Sequence, residues 1–356
     1  MAQLTRREVL AAGVAPMLRM APAPPPVVQP EYERTCAEAL VSFPDASGDT
    51  DPTTLCRFLD AAFEDIHPVL PSYCRVQVAA RREVSGFGEL HRVEDPEIEI
   101  ELWAQDIGEP VVHDGRRRFL VSRRMPSSMG PPSKMSSDRK RVAEIVFGES
   151  FVLEAPFVFE GGNLAFDHGL TLVGRNDVLR SMEASRESRK SVLEGIAKTF
   201  GGVEVVEMGN ETPGPILQHL DQAFVLLGDR TAVACRLEGE GADAEKKQLE
   251  TYASQLRELG YRVVYLDHSA SDLRAYRSSV NVVPFLDRDR NRKRILLPVF
   301  PGELREGAKS VDREGLLGKA ARAFDLYREL GYEPALLRDV THPLGGNTHC
   351  ILNVLS

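Results

Sequence analysis

Five positions recur along the chain at intervals of roughly 55–65 residues: Asp106, Gly162, His219, Asn281 and Asn347. Each stands at a strand boundary that follows a helical stretch. The interval is somewhat longer than the units of most repeat arrays and suits one strand-and-helix module per repeat. Two helix-Gly-Tyr-strand junctions, Leu259-Gly260-Tyr261 and Leu330-Gly331-Tyr332, repeat the same local plan, with glycine at the helix C-terminus. About five such modules whose corresponding ends converge would make a closed radial α/β arrangement. That arrangement would gather Asp106, His219 and Cys350 at one centre.

With 356 residues the chain can bury a large core. Its 42% hydrophobic and 27% charged residues are those of an ordinary globular protein. A formal net charge of -9 argues against a nucleic-acid partner. The basic stretches Arg116-Arg117-Arg118 and 288–294 read as solvated hairpin edges. Net acidity favours cationic small molecules or basic peptides as ligands. The sequence gives no oligomeric state.

Residues 1–30 read as a leader, and 31–356 as a single catalytic domain. Thr5-Arg6-Arg7-Glu8-Val9-Leu10 sets twin arginines before an apolar run ending near Leu18, followed by Ala21-Pro22-Ala23-Pro24-Pro25-Pro26. This order resembles a twin-arginine export signal, which implies a periplasmic or extracellular location. The run is too short for a stable membrane anchor. A disordered cytoplasmic leader is the other reading. Among Cys36, Cys56, Cys74, Cys235 and Cys350 there is no CxxC pair and no zinc-ligand spacing. In an oxidising compartment some of the first four would pair, with connectivity open.

Helices are expected over 52–66, 176–200 (with Asn176 as N-cap), 242–259 and 312–330. Strands are expected at 76–80, 98–103, 119–122, 151–159, 171–173, 203–206, 223–227, 231–235, 263–266, 280–285 and 295–300. Residues 125–137 read as a long polar loop.

Chemistry concentrates in four short motifs: Trp103-Ala104-Gln105-Asp106, Glu160-Gly161-Gly162-Asn163, His219-Leu220-Asp221 and Gly345-Gly346-Asn347-Thr348-His349-Cys350. Each alone has a structural reading: a capping Asp, a satisfied polar His, a core Trp, a buried thiol. Together they suit a planar cation held by carboxylates and attacked at its central carbon. On an extended segment residues i and i+2 share a face, so His219 and Asp221 would enter one pocket with Leu220 turned away. The same period sets His349 opposite Cys350, as a supporting or packing group. Asn281 reads as polar packing or a substrate contact.

The four motifs, in this order, resemble those of the guanidino-group-modifying enzymes of the pentein superfamily, particularly protein-arginine deiminases and agmatine deiminases. The resemblance spans roughly 76–356 and implies a pentein-type α/β propeller of about five pseudo-repeated modules. It implies Cys350 as nucleophile, His219 as general acid and base, and Asp106 and Asp221 as the guanidinium clamp. Trp103, Glu160, Asn163, Asn281 and Gly346 are the implied substrate-contacting positions. The product would be a ureido group and ammonia. No cofactor is implied, and calcium dependence is doubtful because the dispersed calcium ligands of the animal protein-arginine deiminases have no match here.

The motifs divide over the substrate. GGNTHC and the EGG turn are near the agmatine-deiminase pattern. Gln105 within WAQD and the tail Asn353-Val354-Leu355 are nearer protein-arginine deiminases. With export, peptidyl or protein arginine is the expected substrate, and agmatine or another small guanidine is the alternative. An amidinotransferase and a non-catalytic pentein binding protein are the remaining readings.

Overall fold

The computed structural model describes residues 27–44, 51–84, 88–123, 133–209, 219–239, 242–305, 312–339, 341–344 and 346–356. The first twenty-six residues, and with them the leader's twin arginines, lie outside that set. Among the described residues no helix is long and apolar enough to cross a membrane.

The described strands fall into five small sheets. In chain order they are β1 (Glu38–Phe43), β2 (Arg75–Ala80), β3 (Glu89–Arg92), β4 (Glu109–His113), β5 (Arg116–Val121) and β6 (Val152–Glu154). Then come β7 (Leu164–Asp167), β8 (Leu170–Gly174), β9 (Glu204–Met208), β10 (Phe224–Leu227) and β11 (Thr231–Glu238). The last are β12 (Arg262–Ser269), β13 (Val283–Asp287), β14 (Arg292–Val299), β15 (Glu333–Arg338) and β16 (Asn353–Val354).

Four sheets share one plan: an antiparallel hairpin, then a helical crossover to a third strand parallel to the second. Parallel neighbours cannot be joined by a tight turn, so each module must contain a helix. The fifth sheet obeys the plan with its hairpin cut open. β16, from the end of the chain, pairs antiparallel with β1, and β1 pairs parallel with β2. The middle strands carry long buried runs, as in Leu170–Gly174, because both faces are covered.

The helix Pro52–Ile66 shows how sequence makes one crossover. Asp51 caps it, accepting from the Thr54 amide at 3.0 Å, and Pro52 stands in the first turn. Leu55, Leu59, Ala62, Phe63 and Ile66 form its buried stripe. Each large side chain there contributes about 1.5–3 kcal/mol by leaving water.

The five recurrent positions sit in short turns just before β4, β7, β10, β13 and β16. The turn Ala104–Ile107 touches both Gly161–Asn163 and Thr348–Ile351, and Gly161–Asn163 touches Leu220–Gln222. Asn281 closes the circle: its amide donates to the Asp221 carbonyl at 3.4 Å and its oxygen accepts from the His349 amide at 3.2 Å.

Several local expectations change. The stretch 98–103 is not a strand. Its ladder is replaced by groups from the helix Ser133–Phe147: Asp138 accepts from the Glu99 amide at 2.8 Å, and Arg139 holds Glu101 at 2.7 Å. That helix begins inside the expected loop 125–137, of which 125–132 lies outside the described residues. The long helix expected over 176–200 is two, Arg175–Ser185 and Arg189–Thr199. Arg186 breaks it in the left-handed region (φ 58); Gly174, not Asn176, is the N-cap of the first helix and gives no side-chain cap, while Ser188 caps the second. Of the strand expected over 151–159, only Val152–Glu154 forms. The helix expected over 312–330 is the turn Arg313–Gly315 followed by Gly318–Glu329.

Five free thiols are present, and two are neighbours: the sulfurs of Cys36 and Cys74 lie 3.7 Å apart where β1 and β2 begin. Treatment with oxidised glutathione is expected to join them, the glutathione disulfide being reduced to two thiols as the pair is oxidised. Thiol titration should then count two fewer groups, intact mass should fall by two hydrogens, and Cys74→Ser should prevent both. Retention of all five thiols would rule the pairing out.

Candidate active site

Most of the turns that form the ring carry functional side chains inward. Asp106 lies in the buried turn Ala104–Ile107. His219 is extended and Leu220–Gln222 is one 3-10 turn, so the His-x-Asp segment is not the strand expected. Both side chains nonetheless reach one spot: a methyl on Gly162 would stand 2.7 Å from His219 Nδ1 and 2.9 Å from Asp221 Oδ2. Glycine there lets the two approach.

Cys350 occupies a helical turn, Thr348–Ile351, rather than an extended segment. Its Sγ lies 3.8 Å from Asp221 Oδ2 and 3.7 Å from Asn281 Nδ2. Asn281 is fully buried and touches the thiol, the Asp221 backbone and the His349 backbone. Gly346 faces the ring of Trp103, and a methyl on it would meet the indole at 2.7–2.9 Å. Asn163 is buried at the end of the EGGN turn, and among the described contacts its side chain meets Gly174 of β8 rather than the thiol.

Charge in this pocket is arranged in two clusters. In the first, Glu160 Oε2 bonds to His219 Nε2 at 2.9 Å and accepts from Arg180 at 2.6 Å. Burial alone would lower the His219 pKa, but Asp106 and Glu160 outweigh it and lift it to about 10. Burial pushes Asp106 up, His219 pulls it partly back, and the result is about 6. Glu160 is held below the usual carboxylate range: burial opposes this, and His219 and Arg180 prevail. Asp177, also buried against Glu160, is raised to about 7 by burial and that neighbour.

The second cluster lies behind Asp221. His349 Nδ1 donates to Asp221 Oδ2 at 2.9 Å, and its Nε2 faces Glu31 at 3.1 Å. His349 therefore supports Asp221. Burial would lower its pKa, but Glu31 and Asp221 raise it well above the ordinary histidine value. The Cys350 thiol is pushed well up by burial and by the charge of Asp221. Asp221 Oδ1 is buried with no hydrogen-bond partner among the described residues. A buried carboxylate oxygen left free is costly unless a ligand completes it.

The motifs thus bring Asp106, Glu160, His219, Asp221, Asn281 and Cys350 together. Sequence reasoning missed Glu31, Arg180, Asp177 and the Arg139–Glu101 pair. None of these belongs to a motif, and only packing of separate modules puts them here. Among the described residues no group of three or more His, Cys, Asp or Glu is arranged to hold a metal.

No profile of a known protein family matches the chain, and no curated protein matches it in sequence. Solved structures do match in shape, and they define the class: the chain has the pentein fold. It superposes on an agmatine deiminase of C. jejuni with substrate bound at a TM-score of 0.67, with 16% identity over 93% of this chain and 96% of that one. An agmatine deiminase of Enterococcus faecalis gives 0.61, with 14% identity over 92% and 95%. A DDAH (dimethylarginine dimethylaminohydrolase) from Pseudomonas aeruginosa, in complex with citrulline, gives 0.51, with 12% identity over 90% and 99%.

Gly346→Ala is expected to displace the indole of Trp103, the single tryptophan of the chain. Overpacking of this kind costs about 1–3 kcal/mol. Intrinsic fluorescence should shift while far-UV circular dichroism stays the same. An unchanged emission spectrum would mean that the turn absorbs the methyl freely.

Proposed function

We propose that this protein is a hydrolytic deiminase that converts a guanidinium group to a ureido group and ammonia through a covalent amidino-cysteine intermediate. The observation that carries the reading is the meeting of the Cys350 thiol, the partnerless Asp221 oxygen, Asp106 and a protonated His219 in one buried pocket. A planar cation fits that combination of charges and free acceptors.

The guanidinium is held between Asp106 and Asp221, which keeps positive charge on its central carbon. As the cation enters, the Cys350 thiol releases its proton to solvent, where it ends on the departing ammonia, and the cation's charge stabilises the thiolate. Sulfur attacks the carbon, and the tetrahedral adduct collapses as His219 donates a proton to the departing ammonia. The amidino-thioether remains. His219, now neutral, takes a proton from water, the hydroxide adds to the same carbon, and the C–S bond breaks to give the ureido product and the thiol. Glu160 keeps His219 oriented and protonated for the first half. Asn281 steadies the sulfur.

The proposed substrate is peptidyl or protein arginine, supported by Gln105 in WAQD and by the export-type leader. A second reading, agmatine or another small guanidine, is favoured by the likeness to agmatine deiminases. Ammonia release and ureido formation measured in parallel with arginine peptides, free arginine and agmatine separates them. Activity on agmatine alone would overturn the first reading. Cys350→Ala is expected to lose at least about 10⁴-fold in kcat, and undiminished turnover in it would end the covalent mechanism.

Asp106 binds a cation only as carboxylate, so kcat/KM is expected to fall as pH drops through about 6. The sign follows from the raised value: below it the group is neutral and the clamp is lost. Asp106→Asn should lack this acid limb because its residual activity no longer depends on that proton.

A further inference from the structure

Glu31 belongs to no motif, yet it lies against the site. It sits on the turn Glu31–Glu33 ahead of β1, a segment pinned at several points. Tyr32 bonds to Asp167, and Glu33 to His168 at 2.7 Å. Arg34 is buried, donating to Glu109 at 3.1 Å and to the Val354 carbonyl at 2.9 Å. Glu31, Tyr32, Asp221 and His349 line a cavity of about 30 Å³ on the inner side of the site. His349 and Asp221 are largely withdrawn from water there, while the Glu31 side chain keeps a quarter of its surface exposed, so solvent screens its charge only in part.

The consequence is one of charge balance. His349 is bracketed by Asp221 at one nitrogen and Glu31 at the other. An imidazolium beside Asp221 alone would cancel the charge that must attract a cation. With Glu31 present the trio carries one net negative charge. At the same time the Nδ1–H bond occupies Oδ2 of Asp221 and leaves Oδ1 free.

We propose that Glu31 is a positioning residue of this site, acting through His349 to fix Asp221 with one oxygen open and to supply the negative charge that the imidazolium would otherwise cancel. The inference rests on the deiminase reading above. Other charged or titratable groups around His349 are Arg34, 3.8 Å from Glu31, then Glu109 on the far side of Arg34, and Cys350 next to His349 in its own turn. Arg34 pairs with Glu109 at 3.1 Å as well as standing near Glu31, and burial raises the Glu109 carboxyl to about 7; that titration is also present in a His349→Asn background, which separates it from the imidazolium's. Burial would raise the Glu31 carboxyl, but His349 and Arg34 hold it down to about 2, so it stays charged across the working range.

The test is the KM of Glu31→Gln relative to the unaltered protein as a function of pH, using the guanidine that the unaltered protein turns over. In the variant His349 keeps one counter-charge instead of two, so its proton leaves at lower pH. While the imidazolium persists, the trio is neutral and KM is expected to rise about tenfold, an effect of one partly screened charge. At the alkaline end of the profile, once His349 of the variant has lost its proton, the net negative charge returns and the KM ratio should approach unity. The substrate guanidinium stays charged throughout. Glu31→Asp should restore the flat profile.

In a His349→Asn background no cation is present, so adding Glu31→Gln should bring no pH-dependent change. A KM ratio that is constant with pH would overturn the proposal. If Glu31→Gln alone fails to fold and the double variant folds, the counter-charge role is supported. If neither folds, Glu31 is structural and the proposal fails. An unaltered protein that turns over no guanidine would instead overturn the deiminase reading, and this inference with it.

Discussion

The pairing of β16 with β1 is the constraint on which the rest depends. Ala39 stands opposite Val354, the Leu355 amide reaches the Glu38 carbonyl at 2.8 Å, and the Ala37 amide reaches the Ser356 carbonyl at 3.0 Å. These bonds complete the fifth sheet from the two ends of the chain. They hold the turn carrying Cys350 against the turn carrying Asp106, which it touches directly. Asn353 adds a second tie, donating to the Gly108 carbonyl at 2.7 Å just past that Asp106 turn. The Cys350 thiol, the proposed nucleophile, thus stands on the closing stave of a ring.

The buried charges have a different rationale. Asp106, Glu160 and Asp177 share a small volume with His219, Arg180 and Arg139. Such networks contribute little net stability, because desolvation offsets much of the attraction. Their value lies in protonation state. The same environment raises both values: it keeps a proton on His219 and leaves Asp106 titrating at about 6, so the imidazole is held charged while the carboxylate is close to taking a proton.

Much of this was legible in the sequence because the modules repeat. Markers spaced by one module each fall in a turn before a first strand, so the motifs and their spacing together led to the expectation that Asp106, His219 and Cys350 would meet. Helix boundaries such as 52–66 were legible from the Asp-Pro start and the apolar stripe. Residues 98–103 misled because their alternating pattern fits a strand, while Asp138 takes the Glu99 amide that a neighbouring strand would have paired and Arg139 fixes the Glu101 carboxylate. Glu31 was hidden for another reason: it borders a Pro-rich leader, and its tie to His349 crosses almost the entire chain.

The high pKa of the Cys350 thiol has a consequence for selectivity. A sulfur that keeps its proton in the empty pocket is a poor nucleophile and a slow target for electrophiles and oxidants. It is armed by whatever carries positive charge in beside it. On the proposed deiminase reading, a cation therefore brings its own ignition, and a neutral molecule of the same outline, such as a ureido compound, does not. Once a guanidinium had become ureido, the group that awakened the sulfur would be gone, and the pocket would disarm itself before the product had left.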